Sequence, residues 1–319
     1  MMLSRAAERV YWMGRYIERA ESTARLVGAY NNEIMDLPKS VDASWRSLVD
    51  IAGATEPFFG RYQNPDERNV VKFLLADDDN PGSIFTSVRA AREDVRTTRE
   101  LLPTEAWEHT NKLYLYVREN VQQSLARKHR FDFLQNVVFR CQQIAGLLAG
   151  TMSYDASYRF VRMGQELERA DMTTRIVDSA VSLLMPRREA PTEYDNLLWV
   201  NVLKSLSAYQ MYRQHVIPRV IGDEVVRFLL QDALFPRSVA HAVAEAEACL
   251  RALPRNEAPL RGIARLQRRI KEADSAAMSL EELHAYIDTL QGGINDVHQQ
   301  IVATWVLVER QPAVAPAPA

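Results

Sequence analysis

Two stretches of this sequence set carboxylates and guanidiniums at helical spacing. Glu18, Glu21 and Arg25 stand at i, i+3 and i+7, and Glu168, Asp171 and Arg175 repeat the row. Glu21→Arg25 and Asp171→Arg175 have the acid-before-base order that favours an i, i+4 pair. Each row also contains a Glu-Arg dipeptide, Glu18-Arg19 and Glu168-Arg169. Adjacent residues lie ~100° apart around a helix, so the two members of each dipeptide need different partners. Arginine forks match carboxylates, and a positioned carboxylate can act as acid or base. Two chemistries are therefore open. Arg19, Glu21, Arg25, Arg169, Asp171 and Arg175 could hold a zwitterionic or carboxylate-bearing ligand, or Glu18 and Glu168 could catalyse proton transfer. The same charges could instead serve packing alone, as ion pairs that fix the register of central helices.

The elements that must position these residues read as helices. Val10, Met13, Ile17, Ala20, Ala24 and Val27 form an apolar stripe, while Trp12, Tyr16, Arg19, Leu26 and Tyr30 occupy roughly the opposite side. A helix apolar or aromatic on two sides should be central, with some charges at least partly buried. Ser4 is its expected N-cap, and Pro38 limits its end. Further helices are expected near 40–54, 66–76, 83–102, 104–129, 131–150, 155–185, 194–214, 223–231, 238–252, 257–273 and 279–310, about 12 in all. Thr104 and Ser279 suit N-caps, and Ser279 with Glu282 suits a capping box. No segment alternates with period two, so the fold class is all-α.

Self-comparison shows a duplication. Met13–Val27 matches Met163–Val177 at eight of fifteen positions, and Val70–Asp77 matches Val225–Asp232 at six of eight. The second match continues as Pro81-x-Ser83 and Pro236-x-Ser238. Two matches in one order, at nearly one offset, read as a tandem repeat. The first helical repeat would span 1–150 and the second 151–310, in one pseudo-symmetric body with no flexible linker. Residues 311–319, rich in Pro and Ala, should be a disordered tail. A pseudo-twofold would bring Glu18 to an arginine of the second half and Glu168 to one of the first. The copies are not equivalent, because Arg15 and Tyr16 become Gln165 and Glu166. Gly14 and Gly164 sit mid-helix, where glycine costs ~1 kcal/mol, and read as a close helix crossing.

The opening, LSRAAERVYWMGRYIERAESTARLV, and the later E-R-A-D-x-x-x-R stretch, Glu168 to Arg175, resemble bacterial alpha-E domain proteins. The likeness covers all but the tail. It implies an all-helical domain named for a Glu-Arg motif, matched by Glu18-Arg19 and Glu168-Arg169. Such proteins are encoded beside, or fused to, circularly permuted ATP-grasp proteins, with transglutaminase-like proteins as frequent neighbours. The resemblance thus implies an accessory or partner subunit of an ATP-grasp-type ligase, in a pathway that makes or modifies a peptide-like product. An enzyme in its own right and a purely structural scaffold are the alternatives.

Composition and the remaining motifs exclude much else. The 319 residues are 47% hydrophobic and 25% charged with net charge -2, an ordinary globular balance without a pull toward nucleic acid or anionic membrane. Cys141 and Cys249 cannot make a disulfide framework and read as small buried hydrophobes. No signal-peptide run or ~20-residue apolar span occurs, which points to a cytoplasmic protein. Walker, GxGxxG and nucleophile-elbow sequences are absent, and no cofactor is implied. Glu281-x-x-His284 supplies half of a di-iron pattern that the other histidines do not complete, so no metal site is expected. Arg251 to Lys271 is locally basic and reads as a solvated helix face. The run Asp77-Asp78-Asp79 reads as a helix-ending loop.

Overall fold

The computed structural model describes residues 4–33, 45–185 and 193–306. Among them lie fourteen α-helices and no strand. In chain order these are α1 (Ser4–Glu33), α2 (Arg46–Ile51), α3 (Thr55–Phe59), α4 (Glu67–Leu75), α5 (Ile84–Thr97), α6 (Thr104–Ser124) and α7 (Arg127–Thr151). There follow α8 (Ala156–Leu184), α9 (Glu193–Ser205), α10 (Tyr209–His215), α11 (Gly222–Gln231), α12 (Val239–Arg251), α13 (Glu257–Glu272) and α14 (Leu280–Ile301).

The count exceeds the expected 12 for two local reasons. The five-residue α3 is too short to show a period. The segment expected as one helix over 194–214 is broken after Ser205. There Ser207 takes φ 52°, and Ala208 and Ser207 donate to the Leu203 and Lys204 carbonyls at 2.7 and 3.0 Å. That is a left-handed helix cap built on serine rather than glycine. Ser279 and Glu282 form the expected capping box, whereas Pro103, not Thr104, precedes α6 and no side chain caps it. α5 stops at Thr97, and a 3-10 turn covers Arg99–Leu101. Pro38 and the 311–319 tail lie outside the described residues.

The two long helices, α1 and α8, form the centre. α1 packs against α5, α7, α8 and α9, and α8 against α1, α12, α14 and α2. Both faces of α1 are occupied, as its sequence requires: Val10, Met13, Ala20 and Val27 on one side and Leu26 on the other are buried. A Cβ on Gly14 would fall on the backbone carbonyl of Val161, and one on Gly164 on that of Tyr11. The two mid-helix glycines therefore let α1 and α8 touch backbone to backbone, which brings both Glu-Arg dipeptides to one contact. Cys141 and Cys249 are buried free thiols. Arg261, Arg265, Arg268 and Arg269 of the basic stripe face solvent along α13. Asp77 follows the end of α4 and accepts from the Tyr62 hydroxyl at 2.7 Å. Among the described residues no helix is long and apolar enough to cross a membrane.

Candidate functional site

α1 and α8 touch backbone to backbone at their glycines, and Arg15, Glu18, Glu168 and Arg169 are buried, so these charges must find partners in the protein. They do so across the contact. Glu18 on α1 is fully buried and accepts from Arg169 Nη2 of α8 at 2.7 Å and from Arg237 Nη1 at 2.8 Å. Ser22 Oγ and Gln165 Nε2 add bonds of 3.1 and 3.4 Å. Glu168 on α8 accepts from Arg19 Nε of α1 at 2.5 Å and Arg15 Nε at 2.7 Å. Each glutamate is thus held by the arginine of the other dipeptide.

Three residues extend the network. Arg237, just before the N-cap of α12, gives its second nitrogen to Glu21 Oε1 at 2.7 Å. Arg25 forks onto the same oxygen at 2.8 and 2.9 Å and reaches Ser207 Oγ at 2.5 Å. Glu166, on α8, bonds Arg162 at 2.8 Å and Arg169 at 2.9 Å through one oxygen. Its other oxygen, buried, has no hydrogen-bond partner.

Electrostatics separate these acids. Burial alone would push the Glu18 carboxyl up, but Arg169 and Arg237 outweigh it and hold the group well below the usual range. Glu168 follows the same logic with Arg19 and Arg15 and is held at about 2. In Glu166 burial prevails over its arginines and the carboxyl is raised. Glu18 and Glu168 are therefore ionised near neutrality, with both oxygens engaged by arginines, and hold no proton to donate.

The network opens at one edge. Arg15, Asp171 and Arg175 line a cleft of about 390 Å³ together with Asp288, Gln291, Asn295 and His298 of α14. Arg175 is fixed by Asp171 Oδ2 at 2.8 Å and rests against Gly53, where φ is 63° and a Cβ would collide with its guanidinium. His298 Nδ1 shares a 2.8 Å hydrogen bond with the buried Tyr11 hydroxyl. Burial, aided by Arg15, brings the imidazole down to about 4, so it is neutral at pH 7. Tyr11 is pushed up to about 12 by burial. The cleft thus presents two guanidiniums, two carboxylates, a neutral imidazole and two amides.

The eight sequence candidates therefore divide. Glu18, Arg19, Glu21, Arg25, Glu168 and Arg169 belong to the buried network or its immediate flank, and Asp171 and Arg175 to the cleft. Arg25, paired with Glu21, also lines a separate surface depression with Phe131, Phe139 and Lys204. Sequence reasoning missed Arg237 and His298 as parts of the site. Arg237 is the middle residue of the repeated Pro-x-Ser, a position whose partner across 219 residues no spacing rule could give. A larger cleft, about 1160 Å³, lies among α11, α12 and α13 and holds none of the motif residues.

Comparison with known proteins gives the following. A family model described as a predicted alpha-helical domain with a conserved ER motif matches residues 2–306. Uncharacterized proteins of Mycobacterium bovis and Mycobacterium tuberculosis are each 22% identical to the chain, over 92% of it and 36% of their own length. The chain thus spans about a third of the curated relatives it matches. No solved structure matches it.

Proposed function

The chain belongs to the Alpha-E family, and on that premise we propose that it is an accessory or partner subunit of an ATP-grasp-dependent amide-ligase or peptide-modification pathway. In this reading the edge of its Glu/Arg network recognises a peptide-like or carboxylate ligand. The observation that carries the ligand reading is the cleft beside Arg15, where charges of both signs face one space. Arg175 and Arg15 suit a ligand carboxylate, Asp171 and Asp288 an ammonium, and Gln291 and Asn295 an amide. Glu18 and Glu168 act as the frame of this site rather than its acid or base, since each is buried, doubly paired and ionised. The domain reading carries over as part of the proposal: 1–150 and 151–310 are two copies of one unit folded as one body. The accessory role rests on membership of the family.

Calorimetric titration with alanyl-glutamate, which carries two carboxylates and an ammonium, tests the site. Saturable binding is expected, with loss in Arg175→Ala and in the N-acetylated, amidated dipeptide. Equal titration of Arg175→Ala, or none of the wild type, removes the ligand reading. For the accessory role, ADP release by an ATP-grasp ligase of the same genome is the readout. Addition of the chain should raise it with a dipeptide acceptor, and addition of Arg175→Ala should not.

A further inference from the structure

One cluster of donor atoms stands outside the arginine network. His284 and Asp288 lie one turn apart on α14, and α8 brings Asp178 against them. His284 Nδ1 is 2.6 Å from Asp178 Oδ1, and Nε2 is 3.8 Å from Asp288 Oδ2. One donor atom from each residue falls within 4.8 Å of the other two. We propose that Asp178, His284 and Asp288 form a binding site for a divalent transition-metal ion, with zinc as its representative.

The donor set argues for this class of ion. Two carboxylates and a neutral imidazole balance a doubly charged cation. Donors bonded at about 2.0–2.2 Å surround a zinc ion at separations of roughly 3–4 Å, so the 2.6 Å contact must open and the longest separation must close, each by about 1 Å. His284 and Asp288 are at least partly exposed and free to make that shift, while two long helices hold their Cα atoms in place. An imidazole among three donors selects zinc and its transition-series neighbours over magnesium and calcium, which prefer oxygen alone. Glu21, Asp171 and Asp77 each meet an arginine, whereas Asp178 accepts its hydrogen bond from an imidazole.

The position has a consequence. Asp288 also lines the cleft beside Arg15 and Arg175, and Asp178 lines an adjoining depression that shares Arg175 and Gln291 with it. Three protein ligands leave at least one coordination position for water or an oxygen of a bound molecule. The metal site stands on its own geometry and does not depend on the cleft binding a peptide-like ligand. Glu281 of the Glu281-x-x-His284 pattern is not among the three donors. The partners are Asp288, one turn on, and Asp178, which only the fold supplies.

Titration of zinc chloride into the full chain, stripped with a chelator, tests the proposal by calorimetry. One zinc per chain is expected, with about tenfold or greater weakening in His284→Ala and a smaller loss in Asp178→Asn and Asp288→Asn. Cobalt should report an imidazole-carboxylate site in its visible spectrum, and magnesium should bind at least about a hundredfold more weakly than zinc. The exposed Asp288→Asn variant keeps the test decisive if His284→Ala folds poorly. Zinc binding unchanged in both variants, or none in the wild type, overturns the site and leaves the three residues as a helix-to-helix ion pair.

Discussion

Glu18 and Glu168 occupy the same position in two copies of one motif, yet their surroundings are built differently. Each accepts from the arginine of the opposite dipeptide, at 2.7 Å for Glu18 and 2.5 Å for Glu168. The second guanidinium comes from different places. For Glu168 it is Arg15, one turn before Arg19 on the same helix, where the other copy has Gln165. For Glu18 it is Arg237, from the Pro-x-Ser segment, where the first copy has Gly82. The charge balance at the two carboxylates is alike although the side chains that supply it have exchanged positions. The exchange has an outcome in shape. Arg15 reaches the cleft wall, whereas Arg237 is shared between Glu18 and Glu21 inside the network. The Glu168 row thus borders the cleft beside Arg15, while the Glu18 row meets a surface depression only at Arg25.

The comparison can be broken by removing arginines. Arg169→Ala takes one guanidinium from each of two buried acids, leaving Glu18 to Arg237 and Glu166 to Arg162, and a loss of about 3–5 kcal/mol is expected in urea unfolding. Arg19→Ala should cost less, about 1–2 kcal/mol, because Arg15 still holds Glu168 and Arg19 is partly exposed. Equal losses would mean the second acid that Arg169 serves, Glu166, contributes nothing. Gly14→Ala and Gly164→Ala probe the shared contact. Each places a methyl on a backbone carbonyl, and thermal melts should show a loss of about 1–3 kcal/mol or more.

Neighbouring acids sharpen the contrast. Glu168→Gln should cost about 3 kcal/mol, while Glu166→Gln should cost no more than about 1 kcal/mol, since burial already favours the neutral form there. Acidity separates the same pair. The Glu168 carboxyl is depressed from 4.5 to about 2, so its stabilisation is full above pH 4.5 and lost as pH falls toward 2. Glu166 is raised, so its contribution falls instead as pH climbs above 4.5. Urea midpoints between pH 2 and 7 should therefore show a shallower acid limb in Glu168→Gln, where the part due to Glu18 remains, and an unchanged one in Glu166→Gln. The smallest effect on stability is expected for Arg175→Ala at the cleft rim, below about 1 kcal/mol by thermal melt, because its pair with Asp171 is part-exposed.

Much of this architecture was legible in the chain. The 3.6-residue period of α1, its apolar faces on two sides, the mid-helix glycines and the repeated Glu-Arg rows led to a central first helix, a close helix crossing and a duplicated chain. They also led to glutamates that meet arginines of the other half. These are local patterns, and local spacing decides which residues share a helix face. Helix ends were less legible: the break at Ser207 rests on one left-handed serine that no periodicity reports. The division of the candidate residues was not legible at all. Asp171 and Arg175 sit in the same row as Glu168, yet they reach a cleft while Glu168 is sealed by Arg15 and Arg19.

By itself, then, the sequence determined that the chain is helical and that its first motif helix, apolar on two sides, is central with some of its charges buried. Helical period requires as much. Only the tertiary structure decided which charges meet. Arg237 to Glu18, Tyr11 to His298 and Asp178 to His284 span 219, 287 and 106 residues of chain. Partners so far apart are chosen by how helices pack, and packing depends on the shape of the whole core rather than on any stretch of it.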